Sequence, residues 1–494
     1  MVPITLFATR PALGTPAITL LVVAAAAPLT VMGGAVPVGL LLGNGIGFPA
    51  MFLVSAAILL LFSVGMIRMS REVPHTSSFF GFIAHGLNAA VGTGAAWLAV
   101  VCYSAVQFAV FAYLGDAISA SLAGIGGPEL PWWLFSLIAV VVVGLLSFRR
   151  IEFSSRVLGV VLIAEMAIVV ALAVSVMARG GADGLSLAPF SPAEILSGSP
   201  ALGLMFALAG FIGFESTVVF RSEAKNPDQT IRRATMAAAT IIGLFYAFGS
   251  WAIVMAWGTS SVIDVAAEEP ALLLSRTADD YLGPVGSVLV TVLLLGSMFA
   301  CVLGLNTVVA RYLKTMSTSR LLPAPLARLH PRHGGPSIAS TVQAAVAGLL
   351  IVIGALSGIP AALLFAWFAG VGTLIIVILM VATSVAVMRY FLVHRRGVVG
   401  PGTYLSTVVA AIALTLSAML IAANFPLLVG DVDDTGAPTF GFLSAALLVV
   451  IVLVAVGGMM QALVLRSRRP EAYRAITSAL DMSADGSDPT PRPV

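Results

Sequence analysis

The sequence predicts an all-α polytopic membrane protein with twelve transmembrane helices, and three observations predict it. Of its 494 residues 59% are hydrophobic and only 10% charged, against about a quarter charged in an ordinary soluble domain. Mean hydropathy is +1.06, and apolar runs of bilayer-crossing length, roughly 20 residues, recur from end to end. The basic residues are confined to the segments between those runs and are divided very unequally between the two sides. Little chain is left for a soluble domain.

The runs cover residues 17–42, 48–67, 90–115, 132–148, 157–178, 201–220, 235–257, 284–310, 337–357, 361–388, 404–424 and 440–465. The first continues from Ala17 to Leu42 with no small-residue cleavage site directly after a short apolar core, so it reads as a retained span. The run at 132–148 is short and needs Pro131 and Trp132 as its interfacial edge. With both termini on one side, every one of the 25 lysines and arginines except Arg179 and Arg276 falls on that side. The positive-inside rule makes that side cytoplasmic. A miscounted span would scramble this parity. The outer loops carry acids instead, among them Asp264, Glu268, Glu269, Asp431, Asp433 and Asp434. The arginine clusters are therefore read as topology anchors, and no nucleic-acid partner is expected.

Several classes of chemistry are excluded. The only lysines, Lys225 and Lys314, lie in loops, so there is neither a Walker-type phosphate loop nor a buried Schiff-base lysine. Cys102 and Cys301 sit singly inside apolar runs, as packing residues rather than a CxxC pair. The five histidines, His75, His85, His330, His333 and His394, all fall in or beside cytoplasmic loops, leaving no intramembrane metal ligand or general base. No metal, cofactor or enzymatic activity is expected.

Two runs are interrupted. The first contains two prolines and two glycines between Pro28 and Pro37, and the sixth contains Gly210-Phe211-Ile212-Gly213-Phe214. Irregular backbone at membrane depth is tolerated only where it is buried by protein or lines a cavity, because each free N–H or C=O costs several kcal/mol in lipid. The two spans are five apart, and five is odd, so spans 6–10 would repeat spans 1–5 upside down. Broken half-helices aim N-terminal dipoles at a carboxylate and free carbonyls at a cation, which suits a zwitterion. A proline kink with packing glycines is the simpler alternative. A second glycine cluster, Gly43-Asn44-Gly45-Ile46-Gly47, is read as the outer turn between spans 1 and 2, since a break there would leave only 48–67 for span 2.

Subtracting the loops leaves two acids at depth, Glu165 in span 5 and Glu215 just after the break in span 6. A carboxyl group there must be protonated, solvated by a cavity or hydrogen-bonded, and its default reading is functional. Glu215 is the stronger candidate for binding and releasing a proton, its structural alternative being a cap on freed backbone amides. For Glu165 the two readings weigh equally. In span 3, Tyr103 and Gln107 are four apart and share a face, where they either line a cavity or bond neighbouring helices.

The stretch Phe211-Ile212-Gly213-Phe214-Glu215-Ser216, then Glu223-Ala224-Lys225-Asn226-Pro227 and Ile231-Arg232-Arg233-Ala234, resembles the span 6 signature of the amino acid, polyamine and organocation (APC) superfamily. Three further stretches are similar: Met66 to Gly92 to the connection between spans 2 and 3, Ala310 to Pro323 to the loop after span 8, and Arg328 to Pro336 to that loop's ending. The resemblance implies a LeuT-like 5+5 inverted repeat with a substrate site between spans 1, 3, 6, 8 and 10. The runs and the charge distribution give a cytoplasmic N-terminus at 1–16, spans 11 and 12 at 401–465 and a polar cytoplasmic tail at 466–494 that reads as disordered, and the transport core is then 17–400 with repeats at about 17–178 and 201–390. Carried over from the arginine/agmatine antiporter type, the substrate would meet Val31, Gly33, Gly34 and Ala35 in span 1 and Ala209, Phe211 and Ile212 in span 6. Gln107 would be a polar contact, Tyr103 a neighbouring pocket residue and Glu215 the coupling acid. Ala209 stands where that antiporter has a large aromatic and Gly34 where it has serine, so guanidinium specificity does not carry over. No lysine occupies span 5, leaving Glu165 as its only ionisable residue.

These readings converge on a proton-coupled amino-acid permease of the cytoplasmic membrane, working by alternating access as symporter or exchanger. Its partners would be an amino acid or related amine, protons and the lipid bilayer, with a homodimer an open option. A polyamine or organic-amine carrier should need more acids facing the pocket, and a transport-dead amino-acid sensor would bind without counterflow. A major-facilitator transporter is disfavoured by the missing basic Gly/Asp loop motif after span 2 and the lack of a long central loop.

Overall fold

The structure is a computed structural model that describes residues 13–73, 79–148, 155–330, 335–393, 399–433, 437–470 and 473. Most of the N-terminal segment 1–16 and of the tail 466–494 lies outside the described residues, as do His75, His333 and His394. The described chain is all-helical. Its only β-structure is two isolated bridges, Leu13 with Ala224 and Val432 with Pro438.

The α-helices, in chain order, are α1 Thr15–Ala25, α2 Pro28–Thr30, α3 Val36–Leu42, α4 Phe48–Glu72, α5 Phe79–Gly86, α6 Ala89–Gly124, α7 Trp132–Phe148, α8 Ser155–Arg179 and α9 Pro192–Ile195. They continue with α10 Pro200–Ala209, α11 Pro227–Trp257, α12 Val262–Glu268, α13 Leu273–Thr318, α14 Ser337–Ser357, α15 Ala361–Val393, α16 Pro401–Ala423, α17 Phe425–Val429 and α18 Phe442–Arg468. Among the described residues eleven helical segments are long and apolar enough to cross a membrane. The shorter apolar helix α7 occupies the run at 132–148.

Local chemistry sets the ends. Asn88 caps α6 by accepting the Val91 N–H at 2.9 Å, supplying an acceptor for one of the unpaired amides of the first turn. Ser199 does the same for α10 through Leu202 at 3.4 Å. Inside α13 the backbone kinks at Gly283, where φ is 76°, and Pro284 follows, which cannot donate to the preceding turn. The cluster at 43–47 is a turn followed by one 3₁₀ turn, tied by the Asn44 amide to the Ile195 carbonyl at 3.2 Å.

Helix α6 is central and packs on α5, α7, α13, α15 and α18, while α4 packs on α11 and α1 on both α8 and α11. Large aliphatic and aromatic side chains point outward on the periphery, including Val285, Leu356 and Phe442. A lipid surround makes that outward face favourable, and it leaves helix packing to small residues and close fit. Gly372 shows the fit: a Cβ there would strike Val106 across the α6–α15 contact.

The run expected at 90–115 lies in a longer helix, from Ala89 to Gly124, which also contains Asp116.

Candidate functional site

Both expected interruptions are present, the first displaced toward the N-terminus. Helix α1 ends at Ala25, and Ala27 has a φ of 47°, a left-handed conformation that an alanine adopts only at a cost. After the short α2, a π-helical turn spans Val31–Ala35 before α3 resumes. The prolines and glycines foresaw a break at 28–37, whereas the sharpest turn falls just before Pro28. Proline disfavours a helical conformation in the residue it follows. The second break lies where it was expected: α10 ends at Ala209, Gly213 has a φ of 108°, and a 3₁₀ segment runs from Phe214 to Glu223.

The backbone groups freed in the first break find partners from three other helices. Tyr246 on α11 donates its hydroxyl to the Ala26 carbonyl at 3.1 Å, and Tyr113 on α6 donates to the Gly33 carbonyl at 2.9 Å. The Leu29 N–H donates to Glu165 Oε2 at 3.4 Å. Broken backbone at this depth is thus hydrogen-bonded inside the protein rather than presented to lipid.

Each deep carboxylate is held by two donors. Glu215 accepts the Tyr103 hydroxyl at 2.6 Å and the Gly213 N–H at 2.9 Å, so it caps the break in the sixth run. Glu165 accepts the Ser297 hydroxyl at 3.1 Å in addition to Leu29, and Ser297 in turn accepts from Thr30 at 3.2 Å. Glu165 therefore ties α8 to α2 and α13 at the point where the first run is broken. Ser297 and Thr30 carry no sequence signal of their own, since serine and threonine hydroxyls in apolar helices most often bond their own backbone.

A cavity of about 740 Å³ opens where the two breaks meet. Val31, Ala35, Tyr103, Ala209, Ile212, Glu165 and Glu215 all border it. Four residues implied by the resemblance do not. Gly33 faces Leu294, whose methyl carbons would lie 2.6 and 2.8 Å from an added Cβ. Gly34 lies under the Phe365 ring, at 3.2 Å by the same measure, and Phe211 is buried against Tyr246 with ring centroids 6.2 Å apart.

Gln107 is the fourth. It is fully buried, donates to the Val302 carbonyl at 2.9 Å and to Asn306 Oδ1 at 3.4 Å, and accepts from Gln343 at 2.7 Å. Asn306 continues the chain to Ser340 at 2.8 Å. Tyr103 and Gln107 share a helix face yet diverge, because α13 and α14 supply enough polar partners to satisfy the glutamine away from the cavity. Cys102 likewise packs inward on the Gly372 carbonyl at 3.2 Å, while Cys301 borders the cavity.

The cavity runs to one end of the bundle, past Met66, Phe80, Glu223, Tyr312 and Thr315, the end that carries the many arginines. There Arg221 and Arg71 both reach Asp228, the latter at 3.6 Å. More than half of the Asp228 side chain is exposed, so the pair is worth no more than about 1 kcal/mol. Toward the opposite end the cavity stops at Tyr113 and Phe365, whose rings sit 4.8 Å apart. Arg179 and Arg276 lie at that far end, the first bonded to the Asp280 and Tyr281 carbonyls and the second paired with Glu268 and Glu269.

A family model described as amino acid permease matches residues 13–456, nearly the whole chain. The chain belongs to the amino acid permease family. Among its relatives, a branched-chain amino acid permease of Lactococcus lactis is 25% identical over 312 residues, 59% of this chain and 64% of the relative. Uncharacterized transporters of Mycobacterium tuberculosis and Mycobacterium bovis are each 29% identical over 212 residues, 43% of this chain and 46% of the relative. The matched region thus spans less than two thirds of the length of these relatives. This permease is a multi-pass membrane protein by its helices and its family.

Proposed function

We propose that this permease is a secondary active transporter of amino acids in the cytoplasmic membrane, coupled to protons and working by alternating access. The observation that carries the reading is the cavity at the meeting of the two interrupted helices, closed toward one end of the bundle and bordered by two carboxylates. A site at the breaks of two helices five runs apart fits an inverted repeat of spans 1–5 and 6–10, with α7 as the shortest of twelve crossings. The one-sided distribution of lysine and arginine supports cytoplasmic termini, and on that orientation the cavity opens to the cytoplasm. The family description and the named relative support amino acids as the substrate class.

Glu215 is the group assigned to coupling. It is part of the break itself through Gly213 and reaches α6 through Tyr103, so adding or removing its proton changes bonds on two elements that border the cavity. Glu165 plays the same part at the other break, with Leu29 and Ser297. The test is uptake of a radiolabelled amino-acid mixture into proteoliposomes holding the purified full-length protein, with and without an inward-directed proton gradient. Gradient-stimulated accumulation is the expected result; binding without any uptake or counterflow would make the chain a sensor.

A further inference from the structure

The cavity has an apolar compartment with a definable top and bottom. Tyr103 and Tyr113 stand ten residues apart on the same helix, about 15 Å at the rise of an α-helix. Each hydroxyl reaches across to a broken run, Tyr103 to Glu215 and Tyr113 to the Gly33 carbonyl. Between them α6 turns Val106, Ala109 and Val110 toward the cavity, a set at helical spacing that shares one face. Phe365 and Ala369, one turn apart on α15, border the cavity beside them. All five are apolar, and two of them are alanines.

The two carboxylates do not make this compartment a cation site. Each already accepts two hydrogen bonds from the protein, Glu215 from Tyr103 and Gly213, Glu165 from Ser297 and Leu29. Those bonds hold both carboxyl groups at the broken backbone, Glu215 at Gly213 and Glu165 at Leu29, rather than among Val106, Ala109, Val110, Phe365 and Ala369. An anionic side chain fares no better. The basic group on the cavity wall, Arg311, lies fourteen residues beyond Ser297 on α13, about 21 Å along the helix, at the mouth rather than in the compartment.

We infer that this compartment is the side-chain subsite of the transporter proposed above, on which the inference rests, and that it takes neutral amino acids with bulky aliphatic or thioether side chains. Ala109 and Ala369 set its size. Charged amino acids and polyamines are excluded because the walls offer them no partner, and small ones bind weakly because they leave the walls in contact with water. Burying a leucine-sized side chain favours leucine over alanine by about ten- to hundredfold.

The experiment is competition against radiolabelled leucine with the purified full-length protein in proteoliposomes, using isoleucine, methionine, alanine, lysine, glutamate and putrescine. Thermal stabilisation in detergent by the same compounds is read in parallel. Isoleucine and methionine should compete like leucine, alanine about tenfold or more weakly, and the charged compounds not at all. Ala369→Val and, separately, Ala109→Val should weaken leucine about tenfold while changing alanine less than threefold. Lysine or putrescine competing as well as leucine would overturn the inference, as would an unchanged order of potency in both folded variants. Transport of a charged substrate would sink the subsite and leave the transporter reading standing. Stabilisation by leucine without counterflow would do the reverse.

Discussion

Gly213→Ala is the sharpest test of how the two broken helices meet. At a φ of 108° an L-residue is outside its comfortable backbone range, and a Cβ would come within 3.1 Å of the Ala25 carbonyl oxygen and 3.3 Å of its carbon. Those atoms are backbone at the end of α1, so no side-chain rotation relieves the contact. Strain of this kind costs about 1–3 kcal/mol. It falls on the joint that also sets the Gly213 N–H to Glu215 bond. Gly296 in α13 supplies the control, because a Cβ there meets nothing within 4 Å and alanine is favoured over glycine inside a helix by about 0.5–1 kcal/mol. Thermal unfolding of the purified variants, followed by fluorescence-detected size exclusion, should show Gly213→Ala lowered by about 1–3 °C. Gly296→Ala should be level with the parent or above it. Counterflow by Gly213→Ala should fall about tenfold. Parent-like stability and counterflow in Gly213→Ala would refute the claim that the breaks touch there.

Gln107→Leu should lower stability by about 1–3 kcal/mol, since it strands the Gln343 amide in a dry interior. Leucine affinity in the folded fraction should change less than threefold; a tenfold loss of affinity would put Gln107 back in the substrate site. In the segment between α17 and α18, hydrogen bonds from Ser444 hold the Asp431 carboxyl below the usual carboxylate range. A lowered value means that its stabilising contribution is present above the unfolded-state value, about 3.9, and is lost only as pH falls through the folded one. Asp431→Asn should therefore leave the pH profile of uptake between about pH 5 and 8 unchanged, and a shifted profile would contradict that assignment.

Much of this architecture is legible in the sequence because the bilayer imposes one rule on every span. Run length, the Gly and Pro clusters, and the two acids left after subtracting loops locate the helices, both breaks and both carboxylates. What escapes is whatever a partner helix decides. Gln107 has the residue type and position of a substrate contact, but Asn306 and Gln343, nearly two hundred and more residues away, claim it. Gly33 and Gly34 have the composition of a binding loop, yet Leu294 and Phe365 cover them. The length of α6 escapes too, because the apolar run ends near Gly115 while the helix continues to Gly124. The donors on the two carboxylates, Ser297 and Tyr103, are likewise specified only by the packing of α13 and α6 against the breaks.

The central claim is that an amino acid is carried through this cavity and that Glu215 couples its movement to protons. The measurement is pH-gradient-driven uptake of radiolabelled leucine into proteoliposomes by the parent and by Glu215→Gln, alongside leucine counterflow without a gradient. Glutamine fills the same volume but carries no titrating proton, and it can accept from only one of the two donors, Tyr103 or Gly213, with its single oxygen. Gradient stimulation should be lost in Glu215→Gln while counterflow stays within about threefold of the parent, after correction for folded protein. Undiminished gradient-driven accumulation by Glu215→Gln would contradict the claim.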